Sequence, residues 1–289
     1  MSLILFIGVA TGCIYALVAV GFSLIYRTTG VVNFAQGSYV MVGGFTTYWF
    51  YKVAGLNYSL AILLGVCVAG AIGMILWIAV VLPLWRRRSP SYVVLIQTLV
   101  FGGIVGTSAL LIFGPVPQTV PPWLPGFSFE FSGNSIDGQY FLIIAATLLL
   151  MAGFSALLRF STFGRSMRAC AASRDTAQLL GISSERVGAI AFIATAALGG
   201  LGGAMIAPVQ FTSVDVGLAY GVFGFAAAVL GGFGSLPGAL VGGLILGIVN
   251  ALVGRYISSS YQTVVAFGLL LTLMTIRPQG LIGKDWYDA

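Results

Sequence analysis

The sequence has no histidine, only two lysines among its 13 basic residues, and seven acidic residues in 289 positions. Lack of histidine removes the side chain used most often as general base and metal ligand near neutral pH. Charged residues make up 7% of the chain, against about 25% in soluble domains. Such a chain cannot clothe a water-facing surface, and disordered, fibrous and disulfide-framed secreted classes are excluded with the soluble one. The three cysteines, Cys13, Cys67 and Cys170, have no ligand or disulfide spacing and read as small packing residues. No G-x-x-x-x-G-K-[ST] loop occurs, and Lys52 and Lys284 lie far from the glycine-rich stretch at 231–238. No nucleotide site, cofactor or catalytic group is called for.

What is present is apolar: 59% of residues are hydrophobic and the mean hydropathy is +1.04. Every charge falls outside the runs 3–26, 32–51, 58–84, 91–113, 139–158, 188–209, 216–254 and 256–276. About 20 helical residues cross a hydrocarbon core of roughly 30 Å. Seven runs therefore suit one span each, and 216–254, interrupted by GGFGSLPG, suits two. The sequence predicts an all-α integral membrane protein, a single polytopic bundle of eight or nine segments over 1–289. Lipid leaves the backbone no partner but itself, and the period-2 alternation of a barrel strand is missing. The first run has no basic leader and is too long for a signal-peptide core, so it reads as a retained span.

Basic residues of a membrane chain report sidedness. With the arginines at 86–88 set in the cytoplasm and sides alternating across nine segments, Arg27, Arg86, Arg87, Arg88, Arg159, Arg165, Arg168, Arg174, Arg186, Arg277 and Lys284 fall inside, 11 of 13. Lys52 and Arg255 fall outside. The expected orientation is N-terminus out and C-terminus in. Only 32–51 and 216–232, rich in glycine and polar side chains, could instead re-enter from one side. The proline-rich, aromatic loop at about 114–138 is then external, either an irregular cap or a docking surface. The loop at about 159–187 is cytoplasmic and holds five arginines. Within it Ser173 suits an N-cap, Asp175 the positive end of a helix dipole and Gly181 a C′ stop, predicting a helix of about two turns with Ala177 and Leu180 on one face. So short a helix needs a surface to rest on, its own bundle or a partner.

Small residues recur four apart at Gly102/Gly106, Gly199/Gly203, Gly238/Gly242 and Gly243/Gly247, the spacing that lets membrane helices approach closely. No span carries a carboxylate, the usual proton relay of ion-coupled carriers. The most polar membrane-depth stretch holds Asn33, Gln36, Ser38 and Tyr39, with Gln97, Thr98 and Asn250 as weaker companions. These serve either as interhelical hydrogen bonds or as an uncharged lining for a polar substrate.

Three stretches, NFAQGSYVMVGGF, GRSMRACAASRDTAQLLGI and VLGGFGSLPGALVGGLILGIVNAL, in order and over residues 5–284, resemble the permease subunits of branched-chain amino-acid ABC importers. The resemblance implies a bacterial inner-membrane permease that pairs with a second, related permease. It further implies two cytoplasmic ATP-binding subunits, an external solute-binding protein, and alternating access driven by ATP. Residues 168–182 match the family's cytoplasmic coupling loop, which makes Arg168, Ala172, Asp175, Ala177, Leu180 and Gly181 the expected ATPase contacts. The general loop begins Glu-Ala-Ala; here Ala171-Ala172-Ser173 lacks the glutamate. Substrates of the family include leucine, isoleucine and valine, and for relatives other amino acids, urea or amides. An ion-coupled carrier and a passive channel are the remaining alternatives, though a channel would need no arginine-rich coupling loop, and nucleic acid is not an expected partner.

Overall fold

A computed structural model describes residues 2–123, 126–131 and 134–282. Its helices are α1 (Ser2–Thr29), α2 (Gln36–Tyr48), α3 (Tyr58–Leu76), α4 (Leu82–Arg86), α5 (Ser91–Phe113), α6 (Gly138–Phe160), α7 (Thr162–Ala172), α8 (Arg174–Leu179), α9 (Ser184–Ile206), α10 (Val214–Gly231), α11 (Leu236–Tyr256) and α12 (Gln262–Ile276). A π-helical turn carries α2 on to Val53, and another joins α3 to α4 without a break. Eight of these elements are long and apolar enough to cross a membrane. The fold is the polytopic α-bundle that the charge-free runs predict.

Helix α1 is the central post, with residues 10–20 buried without interruption. It fits there because glycines face it and are carried by it. A Cβ on Gly12 would stand 2.8 Å from the Gly243 carbonyl oxygen, and one on Gly8 2.9 Å from the Ile248 Cα. The Gly243/Gly247 pair of α11 therefore meets Gly8/Gly12 of α1, a second small-residue pair. Gly199 and Gly203 of α9 pack against α2, where Gly203 abuts the Val40 carbonyl and Gly43 abuts that of Gly200. Gly102 faces Ser38 and Ala35, whereas Gly106 makes only ordinary contact with Val214.

The stretch at 32–51 resolves in a third way, neither a continuous span nor a simple re-entrant loop. After α1 ends, residues 30–35 return without helix into the bundle. There the Gln36 side chain donates to the carbonyl of Thr195, the midpoint of α9, at 3.1 Å. It also fills the space beside Gly21, eight residues and roughly 12 Å inside the end of α1. Helix α2 thus starts at half-depth. Non-helical backbone at such depth persists only where protein covers it, and Val31, Asn33 and Ala35 are all buried. Helix α10, by contrast, runs 18 residues without a break, about 27 Å.

The run 256–276 yields one candidate span, Ser259–Ile276; its first residue, Tyr256, ends α11, and the Ser258 hydroxyl accepts from the Ser260 N–H ahead of α12. One expectation is corrected: the external loop is not wholly irregular. Strands β1 (Ser128–Phe131) and β2 (Asn134–Asp137) pair antiparallel, too short for their alternation to stand out in sequence. Asp137 then caps α6 through the Gln139 N–H, and Gln118 pairs backbone to backbone with Thr212.

Candidate coupling surface and translocation segment

The arginine-rich loop folds into two helices rather than one. Ser161 caps α7 by accepting from the Gly164 N–H at 3.1 Å, and Gly164 presses on the Leu158 carbonyl. Met167 and Cys170 of α7 are buried in a cluster with Leu24, Leu158, Ala177, Val187 and Ala191. This helix lies across the ends of α1, α6 and α9. The sequence reading missed α7, although Phe163, Met167 and Cys170 follow Ser161 at helical spacing. Arg168 belongs to α7 and donates to the Leu158 carbonyl at 2.7 Å; Ala172 is the helix's exposed last residue.

Helix α8 is capped at both ends as its sequence dictates. The Ser173 hydroxyl accepts from the Thr176 N–H. At the other end the Gly181 N–H reaches the Gln178 carbonyl and the Ile182 N–H that of Ala177, at 3.0 and 2.9 Å, the 5→2 and 6→1 bonds of a Schellman motif. Gly181 sits at φ +80, a conformation L-residues avoid by about 1–2 kcal/mol.

The expected common face of Ala177 and Leu180 divides. Ala177 is 1% exposed and docks on the bundle, while Leu180 is 74% and its neighbour Leu179 88% exposed. Side chains from α4 and the residues after it fix α8 from the flank. The Arg174 guanidinium lies 3.5 Å over the Trp85 ring, Asp175 pairs with Arg88 at 3.5 Å, and Arg86 forks onto Glu185 through two 2.7 Å bonds. Burial against Trp85 pushes the Arg174 guanidinium below its ordinary pKa. Exposed pairs each contribute at most about 1 kcal/mol; the contacts of Arg174 and Asp175 act on α8 itself, whereas the Arg86 pair ties α4 to the start of α9.

Four of the five polar candidates gather at the start of α2. The Asn33 carbonyl oxygens serve twice: the side chain accepts from the Ala35 N–H at 3.1 Å and the backbone from that of Gln36. The Asn33 amide meets the Tyr39 hydroxyl at 3.5 Å. Ser38 donates to the Gly102 carbonyl, and the Phe34 N–H to the Thr98 hydroxyl at 3.1 Å. Gln36 keeps one buried side-chain oxygen without a partner among the described residues. Gln97 stands apart, exposed on the outer face of α5, and Thr98 beside it points inward. Asn250 is buried on α11.

A many-spanning bundle with a broken element at half-depth and a capped helix presented beyond one end is the architecture of a membrane transport subunit. Residues 4–274 match the family described as the permease component of the branched-chain amino acid transport system. The chain belongs to that family. It is 33% identical over 302 residues to the high-affinity branched-chain amino acid transport system permease protein LivH of Escherichia coli (strain K12), covering 97% of this chain and 94% of the relative. To BraD of Pseudomonas aeruginosa, similarly described, it is 32% identical over 292 residues, with 96% and 94% covered. It is also 26% identical over 297 residues to the E. coli permease protein LivM, covering 93% of this chain and 68% of LivM. The protein is thus a multi-pass ABC-transport permease.

Proposed function

We propose that this chain is one of two related permease subunits of an importer that carries branched-chain aliphatic amino acids into the cytoplasm. Of the two ATP-binding subunits, one would dock on α8 of this chain and the other on the related permease, and a solute-binding protein would deliver substrate from outside. The observation that carries this reading is α8 itself: capped, held by its flanks, and turning Leu179 and Leu180 away from the bundle. The names of LivH and BraD support the substrate class, and likeness to LivM as well as LivH supports a paired, related permease. Arg168, Ala172 and Asp175 belong to the same contact region, with Ala177 and Gly181 setting the helix in place.

The route itself is inferred to run by the broken segment at Asn33, Gln36, Ser38 and Tyr39. A zwitterion crossing here meets no countercharge within the charge-free runs of the spans, so tight holding would need dense polar contacts, and the few amides favour weak, releasable binding. In proteoliposomes with the ATPase subunits and binding protein, leucine uptake is expected to require ATP. Asn33→Leu and Gln36→Leu should lower the maximal rate severalfold at nearly unchanged apparent affinity. Uptake driven by an ion gradient without ATP overturns the function. A large rise in apparent KM in both variants overturns the assignment of selectivity to the external protein.

The arginines support the orientation inferred for the chain. Arg27, Arg86, Arg88, Arg159, Arg168, Arg174 and Arg186 lie at the end of the bundle that carries α7 and α8, and positive ends stay inside. The N-terminus is then outside; Lys284, at the other terminus, lies beyond the described residues. Arg87→Cys should react with an impermeant maleimide only from the cytoplasm and Gln118→Cys only from outside. Labelling of both from one face breaks the alternation.

A further inference from the structure

Helices α6 and α9 leave an open groove of about 470 Å³ between them. Leu142, Ala146, Gly153 and Leu157 of α6 form one wall, Leu198 and Leu201 of α9 the other. Helix α6 leans mainly on α1 and meets α9 only sparsely. Its wall is thin where Ala146 and Gly153 stand, and a Cβ on Gly153 would meet nothing within 4 Å. At the end away from α7 the buried Gln139 side chain bridges the two helices. It donates to the Met205 carbonyl at 3.0 Å and accepts from the Trp123 N–H at 3.2 Å. The mouth of the groove is thereby fixed. Among the lining residues only Trp123 and Met205 carry a side-chain heteroatom.

We propose that this groove holds one acyl chain of a membrane phospholipid. Its wall on α6 runs from Leu142 to Leu157, a rise of about 22 Å. Spread over that length, 470 Å³ gives a cross-section of about 21 Å², a slot roughly 4.6 Å wide. Non-bonded carbons sit about 4 Å apart, so a single methylene chain fills the slot. A helix of the related permease, about 10 Å across, does not enter it. An amino acid is a poor occupant as well, because its ammonium and carboxylate would be buried without partners. Lipid tails ask nothing of an apolar wall but packing. Trp123 stands at the mouth, and tryptophan settles where hydrocarbon meets headgroups. Helix α6 leads into α7 and α9 follows α8, so a chain lodged between them sets the spacing of the two stems that carry the coupling helices.

The chain need only sit in a membrane for this, so failure here leaves the transport function standing. The full chain, delipidated in a steroid-based detergent that offers no methylene chain, is expected to melt several degrees higher once dipalmitoyl phosphatidylglycerol is added, since a ligand of the folded state stabilises it. Dioctanoyl phosphatidylglycerol, with the same headgroup and shorter chains, should give little of that gain. Gly153→Leu puts a side chain into the groove, and leucine is the better helix former. This variant should melt no lower than the parent without lipid, lose the gain, and retain severalfold less phospholipid by mass spectrometry. Gly103→Leu, the same exchange on the outer face of α5 with nothing within 4 Å of the added Cβ, should keep both. The two lipids test the unaltered chain, so the outcome does not hang on whether a variant folds. Equal gains from long and short chains, an undiminished gain in Gly153→Leu, an equal loss in Gly103→Leu, or loss of the lipid on binding the related permease each overturns the proposal.

Discussion

Gly203→Leu is expected to abolish the folded permease. The Cβ alone would collide with the Val40 carbonyl, and a Cβ on Gly43 would collide with that of Gly200. The obstacles are backbone atoms of a neighbouring helix, so no rotamer relieves the clash and α2 must leave α9. Overpacking a close contact costs about 3 kcal/mol or more when the backbone must shift. Loss of α2 would also expose the non-helical backbone at 30–35 to lipid, where each unpaired group costs several kcal/mol more. The checks are a monodisperse gel-filtration peak in mild detergent and its melting temperature. Gly103→Ala provides the contrast, since nothing stands within 4 Å of its added Cβ. Its stability should match the parent within about 0.5 kcal/mol. A stable, transport-competent Gly203→Leu protein would mean that α2 and α9 do not pack as described.

Replacing both Leu179 and Leu180 by glutamate should abolish uptake while leaving the bundle intact. Both side chains are turned largely to solvent. Two carboxylates there cost the isolated permease little but desolvate badly against an apolar groove. ATP hydrolysis by the ATPase subunits should continue at its unstimulated level, uncoupled from solute. Gly181→Val reaches the same end by another path. It has room for a side chain, yet the backbone at φ +80 resists a β-branched residue by about 1–3 kcal/mol, enough to unwind the last turn of α8. Leu180→Glu alone should be intermediate, because Leu179 still presents an apolar contact. Normal ATP-driven uptake in the double variant and in Gly181→Val would remove α8 from the coupling path.

The spans were legible because lipid penalises charge so strongly that 20 ionisable residues suffice to mark where helices cross. The caps of α8 were legible because Ser173 and Gly181 act within their own turn, through bonds spanning three to five residues. Family membership was legible from three ordered stretches. Other features depend on partners remote in sequence. Gln36 begins α2 at half-depth because Thr195, 159 positions on, presents a carbonyl there. The same residues could have begun a continuous span, since local propensity does not say where a helix starts within a bilayer. Ala177 and Leu180 share an apolar character, and only docking against Val187 and Ala191 decided that one is buried while the other faces solvent. Gln97 and Thr98 are adjacent polar residues on one helix. Which of them enters the bundle was set by the approach of Phe34 to α5. The sequence by itself determined which charge-free runs are long enough to cross the membrane, where the arginines cluster and where the short helix stops. Only the tertiary structure decided which polar groups meet at half-depth and which leucines are offered to a partner, because those depend on which helix faces come together and not on the composition of any one helix.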